Sequence, residues 1–426
     1  MFAPRSAVGL ALRSKPRHGT ATHLRTAARV LLFAAVAGGV LAFWTRRSGS
    51  RDGEGRPFSP ANDSDVVETL PRASGDPHVI EAKRLRRLLA SNPRDLDVAA
   101  RLARLEIDDA RSTSDPRHLG YAQAALVPWW ADAGAPAPVL ILRATIRQSR
   151  HDFTGALSDL ERAIVVAPDD PQVWLTRAVV LSVLGRYGEA AQSCRPLSRI
   201  AASLVSTVCV ASIQGITGHA LEAARRLAGE LYSVAPGDPM RAWGLSVLAE
   251  LTAWAGNHPE ARRLAAEALA GDPNDAYTRA LLADLSIADG RAADVPPLLA
   301  GREQNDGLLL RLAIAEDAIG AAGAAVHIRD LAARFDAARA RGDALHGREE
   351  ARFWLVIRRD PERALALARA NWQVQHEPAD AQILMEAALG AHQPEAAEPA
   401  VIWARETGFQ DPAVLALRRR IEEAGR

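Results

Sequence analysis

Cysteine is scarce: Cys194 and Cys209 are the only two among 426 residues, which excludes a disulfide-rich scaffold and any zinc site built from four Cys or a Cys/His cluster. Two thiols can still form one bridge if the compartment is oxidising. A surplus of charge of either sign is also missing. Lys+Arg 52 against Asp+Glu 51 leaves a net charge of +1, without the electrostatic footprint of a general nucleic-acid binder, so no nucleic-acid partner is expected. Lysine occurs only as Lys15 and Lys83, and the remaining basic residues are arginines. Catalytic signatures are absent as well. The chain holds no His-Glu-x-x-His helix, no Gly-x-Ser-x-Gly elbow, no Gly-x-x-x-x-Gly-Lys phosphate loop and no Gly-x-Gly-x-x-Gly turn. The 11 histidines are scattered, and adjacent acids such as Asp169-Asp170 point apart on a helix, so neither suggests a metal site or a carboxylate pair. No catalytic residue, metal or cofactor is expected, and the chain reads as not an enzyme. What is present is 48% apolar and 24% charged residues, enough to bury a sizeable core.

The first 76 residues read differently from the rest. Residues 1–25 are basic and lack acids, with Arg5, Arg13, Lys15, Arg17 and Arg25. Residues 26–45, TAARVLLFAAVAGGVLAFWT, hold an uncharged run from Val30 to Thr45 followed by Arg46 and Arg47, so a single transmembrane helix or signal anchor is expected there. The positive-inside rule places residues 1–25 in the cytoplasm and everything after the span on the far side. Phe43 and Trp44 suit an interfacial belt, which favours an uncleaved anchor; a cleaved signal peptide using Ala35-Val36-Ala37, and a cytoplasmic chain with a mis-assigned start, are the alternatives. Residues 46–76, rich in Gly, Pro, Ser and charge, read as a flexible linker. The resulting expectation is a single-pass bacterial inner-membrane protein with its C-terminal domain in the periplasm.

From residue 77 on, the chain matches itself at a shift of 34, which is the mark of a stacked repeat. Leu140 and Trp174, Arg143 and Arg177, Ala144 and Ala178, Phe153 and Tyr187, and Ala156 and Ala190 all recur at that distance. Residues 242–275 give a third clear copy, with Ala249, Gly256, Ala261, Ala268 and Pro273 in the equivalent places. This pattern resembles the tetratricopeptide repeat (TPR) family, whose unit is two antiparallel helices with small residues where they cross. The physics agrees, because small residues let two helix backbones approach and Pro ends the second helix. Weaker copies are marked by Ala211 and Ala223, by Ala283 and Gly290, by Ala364, and by Ala397 and Ala404. The expected fold is all-α: a right-handed superhelical solenoid of TPR-like helix hairpins after one N-terminal transmembrane helix. An atypical first helical repeat is expected over 77–136, with helical patterns at 96–110 and 117–130. TPR-like repeats follow over 137–309, and degenerate C-terminal helical repeats over 310–426.

The resemblance implies that the first helix of each unit lines a concave groove. Carried over, the partner-binding positions are Thr145, Gln148, Ser182, Trp243, Glu250, Trp254, Tyr277 and Asp284. Trp243 and Trp254 lie about three turns apart on one helix and point the same way. Aromatic anchors beside acids suit an extended peptide or partner helix with apolar and basic side chains; filling of a tight superhelix is the rival role. Cys194 on the second helix of one unit and Cys209 on the first helix of the next are a candidate disulfide, or else two independent buried thiols. Arg143 is expected to reach an acid of its own hairpin, Asp159, and Trp174 to be core. The function implied is a membrane-anchored, non-enzymatic scaffold binding a protein or peptide. Alternatives are an enzyme or ligand carrier with its site in the degenerate repeats, and a structural assembly subunit.

Overall fold

The computed structural model describes residues 77–341 and 347–424. The expected span at 26–45 and linker at 46–76 lie outside the described residues. Within them every regular element is a helix. The chain opens with α1 (Pro77–Ser91), α2 (Leu96–Thr113), α3 (Arg117–Ala125) and α4 (Val127–Trp130), so the first unit gains a helix, α1, that the sequence pattern did not indicate. Hairpins then follow one another: α5 (Ala137–Ser149) with α6 (Phe153–Val166), and α7 (Pro171–Val183) with α8 (Tyr187–Cys194). After the short α9 (Leu197–Ile200) come α10 (Ser203–Gln214) with α11 (Ala220–Tyr232), and α12 (Pro239–Trp254) with α13 (His258–Gly271). Next are α14 (Ala276–Ala288) with the short α15 (Val295–Leu299), and α16 (Asp306–Ile319) with α17 (Ala324–Ala340). The C-terminal units are α18 (Gly347–Arg352) with α19 (Pro361–Trp372), α20 (Pro378–Gly390) with α21 (Glu398–Thr407), and the terminal α22 (Pro412–Ala424).

The local chemistry explains these boundaries. Asp-Pro pairs start helices α7, α12 and α19: the Asp170, Asp238 and Asp360 carboxylates accept from backbone N–H groups of the first turn, and the following Pro needs no partner there. Asp411 does the same for α22 through the Ala413 and Val414 amides. The first helices of α7, α12 and α14 end at left-handed glycines, Gly185, Gly256 and Gly290, with φ of 72°, 85° and 72°. In the α5–α6 turn His151 takes that conformation at φ 60° and stacks on Phe153. Pro296 and Pro297 shorten α15 to a single turn, whereas 306–340, which fits the repeat template poorly, forms a full hairpin.

Burial follows the repeat. Each crossing alanine named above, from Ala144 to Ala404, is at most 2% exposed. Arg143 and Asp159 are buried together, the guanidinium Nε and Nη2 donating to the two carboxylate oxygens at 2.8 and 2.6 Å. Trp174 sits half-buried at the core's edge, its indole N–H donating to the Pro168 carbonyl at 2.7 Å. Among the described residues, only Ser203–Tyr232 has the length and apolarity of a membrane span. It is two core helices, α10 and α11, joined through Gly218 at φ 83°.

The array also packs on itself at long range. The His376 amide donates to the Val183 carbonyl at 2.7 Å, and the Tyr187 hydroxyl to the His376 carbonyl at 2.8 Å, 189 residues away in sequence. Trp403 Nε1 donates to the Tyr187 hydroxyl at 2.8 Å, and Phe409 lies edge-on to Trp254 with centroids 5.3 Å apart. Three hairpin turns therefore meet the C-terminal units: Gly185 faces His376, Gly218 faces Gly408, and Gly256 faces Pro412. At the other end Asn305 reaches the Ser112 carbonyl at 3.5 Å across 193 residues. Contacts between residues this far apart in sequence mean that one turn of the array rests on another.

Candidate partner-binding groove

The first helices of successive units, α12, α14, α16, α18 and α20, are joined by a ladder of polar side chains. Between α12 and α14, the Tyr277 hydroxyl donates to the Glu250 carboxylate, and Ser246 and Thr278 share a hydrogen bond at 2.6 Å. Asp284 on α14 accepts from Arg311 on α16, at 2.9 Å from Nε and 2.7 Å from Nη2, and from Arg352 Nη1 on α18 at 2.7 Å. Arg348 on α18 reaches Glu377 at 2.9 Å and Asp380 at 3.3 Å at the start of α20, where Gln382 donates to Glu386 at 2.8 Å.

Electrostatics divides these acids into two kinds. Burial pushes the Asp284 carboxyl up, but the Arg311 and Arg352 guanidiniums outweigh it and hold the group below the usual carboxylate range. Glu250 and Glu386 take their hydrogen bonds from neutral groups, Tyr277 and Gln382, and burial raises both carboxyls above their ordinary value. Burial, with the Glu250 charge beside it, also holds the Tyr277 phenol well above its ordinary value. The ladder is thus ionised around Asp284 and underneutralised at Glu250 and Glu386.

Of the positions carried over from the repeat pattern, Glu250, Tyr277 and Asp284 come together in this ladder. Trp243 and Trp254 are half-buried against the two central cores, and Trp254 lies in the seam with Phe409 and with Gly215, just past the end of α10. Thr145 and Ser182 are buried, and their hydroxyls donate back to Ile141 and Ala178 of their own helices, at 3.0 and 2.9 Å. Gln148 stays half-buried on α5. Cys194 and Cys209 form a disulfide that ties α8 to α10, with Cα atoms 5.7 Å apart. Arg311, Arg348, Arg352, Gln382 and Glu386 were missed by sequence reasoning. They fall in the stretch where the repeat register is poor, although one signal was present: a charge inside an apolar run, as Arg311 in LLLRLAIA.

No protein-family model matches the chain, and no curated protein does either. Solved structures that resemble it include a tetratricopeptide repeat protein from Parabacteroides merdae ATCC 43184, at 14% identity and TM-score 0.32, covering 72% of this chain and 99% of that one. The Cut9-Hcn1 hetero-tetramer of APC/C aligns at 13% identity and TM-score 0.32, over 81% of this chain and 87% of its own. The TPR domain of P58(IPK) aligns at 12% identity and TM-score 0.22, over 80% and 92%. At these scores the likenesses decide nothing; the TPR-like character rests on this chain's 34-residue period, its crossing alanines and its helix hairpins.

Proposed function

We propose that this chain is a non-enzymatic interaction scaffold: a solenoid of TPR-like hairpins, wound right-handed, that holds an extended segment of a protein partner against its first helices. Residues 26–45 anchor it in the bacterial inner membrane, and the repeats occupy the periplasm. The observation that carries the binding reading is the pair Glu250 and Glu386. Two carboxylates raised by burial and bonded to neutral donors sit at a cost that a basic side chain from a partner relieves. The partner segment is therefore basic with apolar flanks, and nucleic acid is no part of this reading. The Cys194–Cys209 bridge supports the oxidising compartment.

Photo-crosslinking from position 382 in detergent-solubilised membranes tests the groove. An adduct in the parent chain that disappears in Glu250→Gln/Glu386→Gln supports the reading, and an adduct unchanged in the double variant sinks it. Alkylation of unreduced protein tests the compartment, because two free thiols in native material contradict a periplasmic repeat domain.

A further inference from the structure

Away from the groove, the first unit collects nitrogen and carboxylate ligands from three helices at one point. Glu106 and Asp109 are three residues apart on α2 and so share a face. His118 opens α3, and its Nδ1 lies 2.7 Å from Glu106 Oε2. One ligand atom each from Glu106, Asp109 and His118 falls within 4.8 Å of the others. His78, in the first turn of α1, puts its Nδ1 3.7 Å from Asp109 Oδ1. Glu106 is fully buried, while the Asp109, His118 and His78 side chains retain 21%, 24% and 50% of their exposure, so the point is open to solvent on one side.

We propose that Glu106, Asp109 and His118, with His78 as the fourth ligand, form a site for a divalent transition metal of the zinc class. Donors about 2.0–2.2 Å from a tetrahedral ion lie roughly 3.4 Å from one another; the His118–Glu106 and His78–Asp109 pairs, at 2.7 and 3.7 Å, bracket that value, and His78, which is not yet within 4.8 Å of all three other ligands, turns inward to complete the set. Two imidazoles select zinc over calcium or magnesium, which prefer all-oxygen shells. Arg86, which holds the other Glu106 oxygen and lies over the Tyr121 ring with its side chain 45% exposed, is the competing charge. A metal here clamps α1 and α3 onto α2, in the one unit that has no neighbour before it among the described residues. The ionic triad Arg86–Glu106–His118 on its own is the competing account, and the two separate experimentally.

Tag-free full-length protein, stripped with chelator and dialysed against zinc chloride, is expected to retain one zinc per chain and to melt at a higher temperature than the stripped form. Asp109→Asn and His78→Ala, both at partly exposed positions and checked for folding by circular dichroism, are expected to weaken zinc binding at least about tenfold. Arg86→Ala is expected to tighten it, because removing the cation frees the second Glu106 oxygen. Absence of zinc uptake by the parent chain overturns the proposal, as does uptake that Asp109→Asn and His78→Ala leave unchanged; an Arg86→Ala chain that only loses stability, with no gain in zinc affinity, supports the ion-pair account instead.

Discussion

The two ends of the repeat array are fixed by different chemistry. In the N-terminal units the strongest ties are ionic and internal. Arg143 grips Asp159 and also donates from Nη1 to the carbonyls of Trp129, Trp130 and Asp132 at 3.1, 2.5 and 3.1 Å, while Arg147 adds a second cation on Asp159 at 2.9 Å. In the C-terminal units the ties are aromatic and external: Trp372, Trp403 and Phe409 pack against one another and against Tyr187 and Trp254 of units far earlier in sequence. A terminal repeat has to cover its outer face. The C-terminal units can do so by docking on the preceding turn, whereas the first units satisfy their loop carbonyls with a buried guanidinium.

That contrast can be broken from either side, and the largest effect is expected at the ionic end. Arg143→Ala leaves Asp159 buried with the half-exposed Arg162 and the partly buried Arg147 as cations, and takes the guanidinium from the Trp129, Trp130 and Asp132 carbonyls, so it should cost about 3–5 kcal/mol in urea unfolding. A loss near zero would mean that the pair is incidental. Trp403→Ala removes a large buried ring from the seam and the donor to Tyr187, with an expected loss of roughly 3–4 kcal/mol. Limited proteolysis gives its signature: cleavage should appear within 361–424 while 137–166 stays intact. Cutting the Cys194–Cys209 tie with a double Ser substitution should cost about 3 kcal/mol for a loop of this size, since the bridge spans 15 residues. Gly218→Ala should cost roughly 1–3 kcal/mol, because its φ is 83° and a Cβ there would stand 2.7 Å from the Gly408 carbonyl oxygen.

The smallest effect, and the one that distinguishes the ends by sign, is pH. Burial at the seam lowers the pKa of His376, which stands against Trp372 and the Gly185 turn and has an unsatisfied Nδ1, with Glu377 and Asp380 following it on the chain and Tyr187 opposite. Its own contribution is present above the unfolded value near 6.5 and is lost as pH falls through that value towards the lowered one, so protonation of this imidazole loosens the C-terminal seam, while Asp380, whose carboxyl burial raises to about 6, works against it. In the metal-stripped protein His118 runs the other way. Its hydrogen bond to Glu106 raises its pKa against burial, so its contribution is full below about 6.5 and is lost as pH rises through the raised value. Tryptophan fluorescence should report the first transition. His118→Asn should remove the alkaline loss at the N-terminal unit without altering the acid loss; a single titration common to both regions would contradict the separation.

Much of the fold was legible because the repeat writes itself in small residues. Ala144, Ala178, Ala249 and their relatives mark crossings, and the Asp-Pro pairs and turn glycines mark ends, all through local rules. Helix α1 was not legible, since PHVIEAKRLRRLLAS carries no counterpart 34 residues on. The polar ladder was half legible. Glu250, Tyr277 and Asp284 follow from their register, but their partners Arg311 and Arg352 come from units where Pro296-Pro297 and the 310–344 stretch break that register. The seam was invisible, because nothing in a 34-residue period says which turn of an array rests on which. Trp254, assigned to the groove by position, is held by Phe409 through that unseen contact.

One backbone bond marks most directly where the C-terminal units close onto the middle of the array. The His376 amide lies between α19 and α20, where no helix satisfies it, and its acceptor is the Val183 carbonyl, at 2.7 Å. Native-state hydrogen exchange at that amide is the direct test. The account predicts strong protection in the parent chain that collapses in Trp403→Ala, and exchange at the rate of an open loop in the parent chain would contradict it.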